Sequence, residues 1–123
     1  MNEYILELGK KAKEASKKLA IIDTNTKNAV LTAVAKALIE KRELIKAENK
    51  KDLEYGKEKG ISSALLDRLE LTDSRIDGMA KSLIEIANFK DPVGEILEGW
   101  KHPDGMQILK QRVPLGVIGM IFA

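Results

Sequence analysis

The sequence predicts an α/β parent fold, of which this chain carries a mostly α-helical segment, then a β-hairpin, then the first strand of a parallel sheet. Three observations predict it. Apolar residues recur at steps of three and four as far as Ala87, the spacing of amphipathic helices. Breaker clusters at Asp91-Pro92-Val93-Gly94 and Pro103-Asp104-Gly105 then bound two short strand-like stretches. Finally, Val113 to Ala123 is apolar throughout, which is how a strand reads when helices cover both faces of its sheet.

The first helix carries Ile5, Leu8, Ala12, Ala15, Leu19 and Ile22 as one stripe, with Lys10, Lys11, Lys13, Lys17 and Lys18 in the remaining positions. Asp23-Thr24-Asn25-Thr26 offers capping oxygens to a second helix striped by Val30, Val34, Ala37, Leu38 and Ile45. Asn49-Lys50-Lys51-Asp52 interrupts that stripe, so a bend or break is expected near Asn49; Gly60 suits a glycine cap beyond it. Ser62-Ser63 caps a short helix with Leu65, Leu66 and Leu69. Thr72 opens the last helix, whose face is Ile76, Met79, Ala80, Leu83, Ile86 and Ala87.

Proline at residue 92 pushes Asp91 out of the helical region, so the helical grammar ends there. Glu95 to Lys101 and Met106 to Val113 read as strands around His102-Pro103-Asp104-Gly105, a sequence suited to a tight reversal. The run from Val113 needs strand neighbours on each side, and parallel neighbours are reached through crossovers of about a dozen residues or more. The chain therefore reads as the opening section of a larger α/β protein.

Composition narrows the function classes. The 123 residues hold 21 Lys plus Arg against 19 Asp plus Glu, a net charge of +2, with the signs interspersed. No single-sign face for nucleic acid or an anionic membrane is expected. Cysteine is absent, which removes disulfides, thiolate metal sites and thiol catalysis from this stretch. The amino terminus lacks a secretory pattern, and the terminal apolar run is short of the ~20 residues of a membrane helix, so a cytoplasmic location is expected.

Few residues invite a chemical role. Gly116-Val117-Ile118-Gly119 lacks the spacing of a dinucleotide loop, and close backbone packing within a buried strand is the expected use of its glycines. His102 is read as an exposed turn histidine with no carboxylate arranged beside it, and no metal or catalytic role is assigned to it. Lys50, Lys51, Lys57 and Lys59 alternate with acidic residues and read as a solvated helix face. Asp67 and Arg68 read as capping or bridging residues.

Several stretches taken together go further. Leu65-Leu66-Asp67-Arg68-Leu69, Leu71-Thr72, Arg75, Asp91-Pro92-Val93-Gly94, Pro103-Asp104-Gly105 and Arg112-Val113-Pro114-Leu115-Gly116-Val117-Ile118-Gly119 follow one another in an order that resembles the γ-glutamyl phosphate reductase family. That family, also called glutamate-5-semialdehyde dehydrogenase, belongs to the aldehyde dehydrogenase superfamily, and the resemblance covers the whole chain.

The resemblance implies an NADPH-dependent reduction of L-glutamyl 5-phosphate to glutamate 5-semialdehyde and phosphate, in proline synthesis. A cysteine thiolate attacks the acyl phosphate, phosphate leaves, and hydride transfer to the thioester releases the aldehyde. It implies that residues 1–90 are the helical part of the cofactor-binding domain, residues 91–113 the hairpin of an oligomerisation arm, and residues 114–123 the first strand of the cofactor sheet. The full-length protein is then expected to be a homo-oligomer acting on a small molecule, without nucleic-acid or membrane partners.

This sequence stops before the family's nucleophilic cysteine, its main cofactor loops and its Arg-Pro-Asn segment, and it has Ala123 where the family usually has Glu. No catalytic and no metal-binding residue carries over. Only Ile121 and Phe122 are transferred toward the cofactor, because ligands of open α/β sheets bind beyond the carboxyl ends of strands. The chain alone is expected to be inactive. The competing reading is a non-catalytic helical interaction module, with the hairpin and last strand added to a partner's sheet.

Overall fold

The computed structural model describes residues 2–121. In chain order they form α1 (Glu3–Leu19), α2 (Thr24–Glu40), α3 (Arg42–Glu58), α4 (Ser63–Leu69), α5 (Asp73–Ala87), β1 (Ile96–Lys101) and β2 (Gln107–Gln111). The chain divides into two compact units, one of residues 25–89 and the other of residues 1–24 with 90–123. No described helix is long and apolar enough to cross a membrane.

The helical unit is built around a small core. Ile76 is fully buried, Ala35 and Ala80 nearly so, and Leu31, Leu38, Ile45, Leu53, Leu66, Leu71 and Leu83 are half-buried around them. The expected break at Asn49 is not there. The interruption falls eight residues earlier, at Lys41 (φ −99°, ψ 16°), and Asn49 lies inside α3. Asn49 is buried: its amide donates to the Leu69 carbonyl at 2.9 Å, and its carbonyl accepts the Leu71 amide at 2.8 Å. An Asn side chain unsettles a helix by competing for the helix's own backbone. Here it is engaged by the segment joining α4 to α5, so the helix runs through.

The helix ends follow local chemistry. Asn2 Oδ1 accepts the Tyr4 amide at 3.0 Å, and Ser62 and Thr72 accept from Leu65 and Arg75 at 3.4 and 3.2 Å. At the end of α3, Gly60 takes φ +70° while its amide bonds Lys57 O and the Ile61 amide bonds Gly56 O, both at 3.0 Å. This pair of bonds is a Schellman cap, and the left-handed residue it needs is glycine. Gly56 itself is buried where α4 meets α3; a Cβ there would stand 3.0 Å from a Leu66 methyl and 3.3 Å from an Ile61 methyl.

Charged side chains brace the same unit. Arg75 reaches back to the carbonyls of Asp67 and Glu70 and, at 3.1 Å, to the Asp67 carboxylate, so three acceptors near the end of α4 meet one guanidinium. Asp67 thus bridges as expected. Arg42 pairs with Asp77 and Lys46 with Asp73 at 3.1 Å, which joins the start of α3 to α5. The Asp73 hydrogen bond, followed by that of Glu43, raises the Lys46 pKa.

Beyond β2 the expected strand is not formed among the described residues. Residues 113–121 form no strand, and Gly116 takes φ +87°, which interrupts an extended path. A strand is defined by its ladder, and β1 and β2 are the strands of the one sheet described. The glycines of this run meet no neighbour among the described residues: nothing lies within 4 Å of where a Cβ would stand on Gly116 or Gly119.

Candidate functional site

The hairpin leads into the apolar run that holds Ile121 and Phe122, the residues with a sequence-based claim to function. The hairpin starts at a turn in which the Val93 amide donates to Asp91 Oδ1 at 3.0 Å and the Glu95 amide to Pro92 O at 3.2 Å. Gly94 sits in it at φ +86°, a value glycine adopts without the clash a Cβ would bring. The root is closed by two backbone bonds, Gly94 N to Arg112 O at 3.0 Å and Arg112 N to Glu95 O at 2.9 Å.

Register then runs Ile96 with Gln111, Glu98 with Lys110, Gly99 with Leu109, Trp100 with Ile108 and Lys101 with Gln107. Leu97 is the extra residue of a bulge. At the tip the Gly105 amide donates to His102 O and the His102 amide to Met106 O, each at 2.8 Å, with Gly105 at φ +92°. A turn closed by a left-handed glycine is a standard solution for a short hairpin loop.

Electrostatics concentrate at the root. Glu95 lies 2.7 Å from Lys90 Nζ and 3.3 Å from Arg112 Nε. The Lys90 hydrogen bond and charge, with a smaller contribution from Arg112, hold the Glu95 carboxyl below the usual range. At the tip, His102 Nδ1 lies 3.0 Å from Asp104 Oδ2. Sequence reasoning placed no carboxylate beside His102. The turn provides one because it folds residue 104 back over residue 102.

Pro92, Val93, Arg112, Val113 and Leu115 line a cavity of about 330 Å³ beside the root. Leu115, at its rim, is 89% exposed, and Ile121, farther along the chain, is 99% exposed. Ile121 therefore stands free of the rest of the described chain, and Phe122 lies outside the described residues. Ile121 offers an apolar side chain and no charge to a ligand, and the nearest cation before it, Arg112, is already paired with Glu95. No group of three or more His, Asp or Glu among the described residues is placed to hold a metal ion. Lys50, Lys51, Lys57 and Lys59 are exposed, as a solvated face requires.

Sequence reasoning missed Asn49 and Glu95. Asn49 was legible as an amide standing four residues from both Ile45 and Leu53 on one stripe. Nothing in the spacing marks Glu95, whose partners are brought to it by the turn and by the returning strand.

No family model matches the chain. Individual relatives do. The γ-glutamyl phosphate reductase of Halothermothrix orenii is 49% identical over 122 residues, which are 99% of this chain and 29% of that protein. The enzyme of the same name from Campylobacter curvus is 51% identical over 118 residues, 96% of this chain and 27% of the relative. Among solved structures, γ-glutamyl phosphate reductase from Thermotoga maritima superposes with a TM-score of 0.84 at 40% identity, covering 89% of this chain and 26% of that one. The Saccharomyces cerevisiae enzyme gives 0.78 at 28% identity, covering 84% and 26%. The helices and two-stranded sheet described above match that fold. In sequence and in fold alike, the chain is homologous to the γ-glutamyl phosphate reductases, over a stretch equal to under a third of their length.

Proposed function

We propose that this chain is a segment of an NADPH-dependent oxidoreductase that converts L-glutamyl 5-phosphate to glutamate 5-semialdehyde and phosphate, in the synthesis of proline. The observation that carries this reading is the 49% identity spread over 99% of the chain to a protein of that name. A shared fold alone does not require identity of that extent.

On this reading the chemistry lies in residues outside this chain, with a cysteine thiolate as nucleophile, and NADPH supplies the hydride. The helical residues 1–90 belong to the cofactor-binding domain of an aldehyde dehydrogenase-like protein. The hairpin of residues 91–113 belongs to an oligomerisation arm, and residues 114–123 pair into the cofactor sheet. Ile121 and Phe122 then line the adenosine side of the cofactor pocket. The exposure of Ile121 and of the residues before it is what such a reading calls for, since their partners would come from the rest of the protein. The whole protein is a cytoplasmic homo-oligomer.

The test is a chimera. This chain replaces the matching stretch of the H. orenii relative, and the product is expressed in a bacterium that lacks the reductase and requires proline. Growth without proline is the expected outcome. In vitro, the chimera reduces NADP⁺ in the presence of glutamate 5-semialdehyde and phosphate, the reaction in reverse, while the 123-residue chain alone does not. A folded chimera that fails where the intact relative succeeds, or turnover by the chain alone, overturns the reading.

A further inference from the structure

We propose that the Asp104-Gly105 bond at the hairpin tip is a site of spontaneous covalent modification, at which aspartate converts to isoaspartate through a cyclic imide. The proposal is independent of the enzymatic reading and rests on the chemistry of one dipeptide in two settings. Asp-Gly occurs twice in the sequence, at Asp77-Gly78 and at Asp104-Gly105.

The reaction needs the backbone nitrogen of the following residue to reach the side-chain carboxyl carbon. That nitrogen loses its proton and bonds to the carbon, a carboxyl oxygen leaves as water, and a five-membered imide closes. Water then opens the ring at the main-chain carbonyl, leaving the chain running through the side chain. One water is lost and one regained, and nothing is oxidised or reduced.

The two sites differ in what holds the attacking amide. Gly78 lies within α5, in the middle of a continuous hydrogen-bonded helix. Reaching the carboxyl there means breaking helical geometry on both sides. Gly105 lies in a turn of a two-stranded hairpin at φ +92°, with open space where a Cβ would stand. Its amide makes one turn bond, to His102 O at 2.8 Å. The Asp104 carboxylate lies beside the same residue, 3.0 Å from His102 Nδ1, and its side chain remains 64% exposed. The amide and the carboxylate are thus each held by one local contact to His102, and the exposed turn leaves water free to reach them. Residues 103 to 107 are exposed throughout, so no packed neighbour resists the change.

The experiment is prolonged incubation of the purified chain at mildly acid pH and body temperature. Proteolysis and electron-transfer fragmentation then separate isoaspartyl from aspartyl peptides. Isoaspartate is expected at residue 104 several-fold faster than at residue 77, and the difference is expected to vanish in denaturant, where both sites react alike. Gly105→Ala should slow the conversion several-fold. Because alanine is strained at a positive φ, Asp104→Glu serves as the second variant: it keeps the charge, requires a six-membered ring, and should abolish product at this position. Equal accumulation at both sites in the folded chain overturns the proposal. So does accumulation at residue 104 only after denaturation.

Discussion

At the scale of single residues, Asn49 shows how one buried amide can set a boundary elsewhere. It satisfies the Leu69 carbonyl and the Leu71 amide, two backbone groups that would otherwise be left without partners as the chain passes from α4 to α5. Removing one partner from a buried hydrogen bond costs more than the bond contributes, because the group left behind keeps its desolvation penalty. Asn49→Ala is therefore expected to destabilise the helical unit by about 2–4 kcal/mol, two bonds being lost at roughly 1–2 kcal/mol each. Urea unfolding followed by circular dichroism checks this; a change within about 0.5 kcal/mol, typical of an inconsequential surface site, would contradict it. This residue also marks a limit of periodicity. Counting apolar positions identifies the stripe of α3, but a polar residue within a stripe reads as a defect until its partners, some twenty residues away, are known.

At the scale of elements, the helices were the most legible because their signals are local. Caps at Ser62, Thr72 and Gly60 stand where side-chain oxygens and glycine were expected, and their bonds span only a few residues. The hairpin was legible from its turn residues, whereas its bulge at Leu97 and the ion pairs at its root arise from how two strands meet. Those ion pairs make the root sensitive to acid. Paired with Lys90 and Arg112, Glu95 binds its proton less readily when folded than when unfolded. The stabilisation is present above the unfolded carboxyl value and is lost as pH falls through the lower, folded one. Cross-strand nuclear Overhauser effects between residues 94 and 112 should accordingly weaken as pH drops through the carboxylate range. In Glu95→Gln they should be weaker at neutral pH and flat across the same range. Identical profiles for the two proteins would show that the pairs contribute nothing.

At the scale of the whole molecule, the apolar run after β2 separates what a sequence encodes from what one chain displays. Its composition announces a buried strand, yet Val113 is 75%, Ile118 65% and Met120 72% exposed. Burial is a property of a residue and its neighbours together, and the relatives that this chain matches are more than three times as long, since it spans 29% of the first of them. Exposed apolar residues in series favour association between copies. Val117→Lys combined with Ile118→Lys should reduce self-association of the purified chain, seen by sedimentation velocity as a shift toward the monomer. An unchanged distribution would place the sticky surface elsewhere.

The unit of residues 1–24 and 90–123 is assembled from two stretches that the whole helical unit separates in sequence. The Thr24 hydroxyl donates to the Asp91 carboxylate at 2.8 Å, so the points where the chain leaves that unit and returns to it are adjacent. This imposes an order in time as well as in space. On a ribosome α1 emerges first but lacks its companions until residue 90 and beyond have been made, while α2 to α5 can find one another as they appear. The helical unit is then expected to mature first, and its closing brings the two distant stretches within reach.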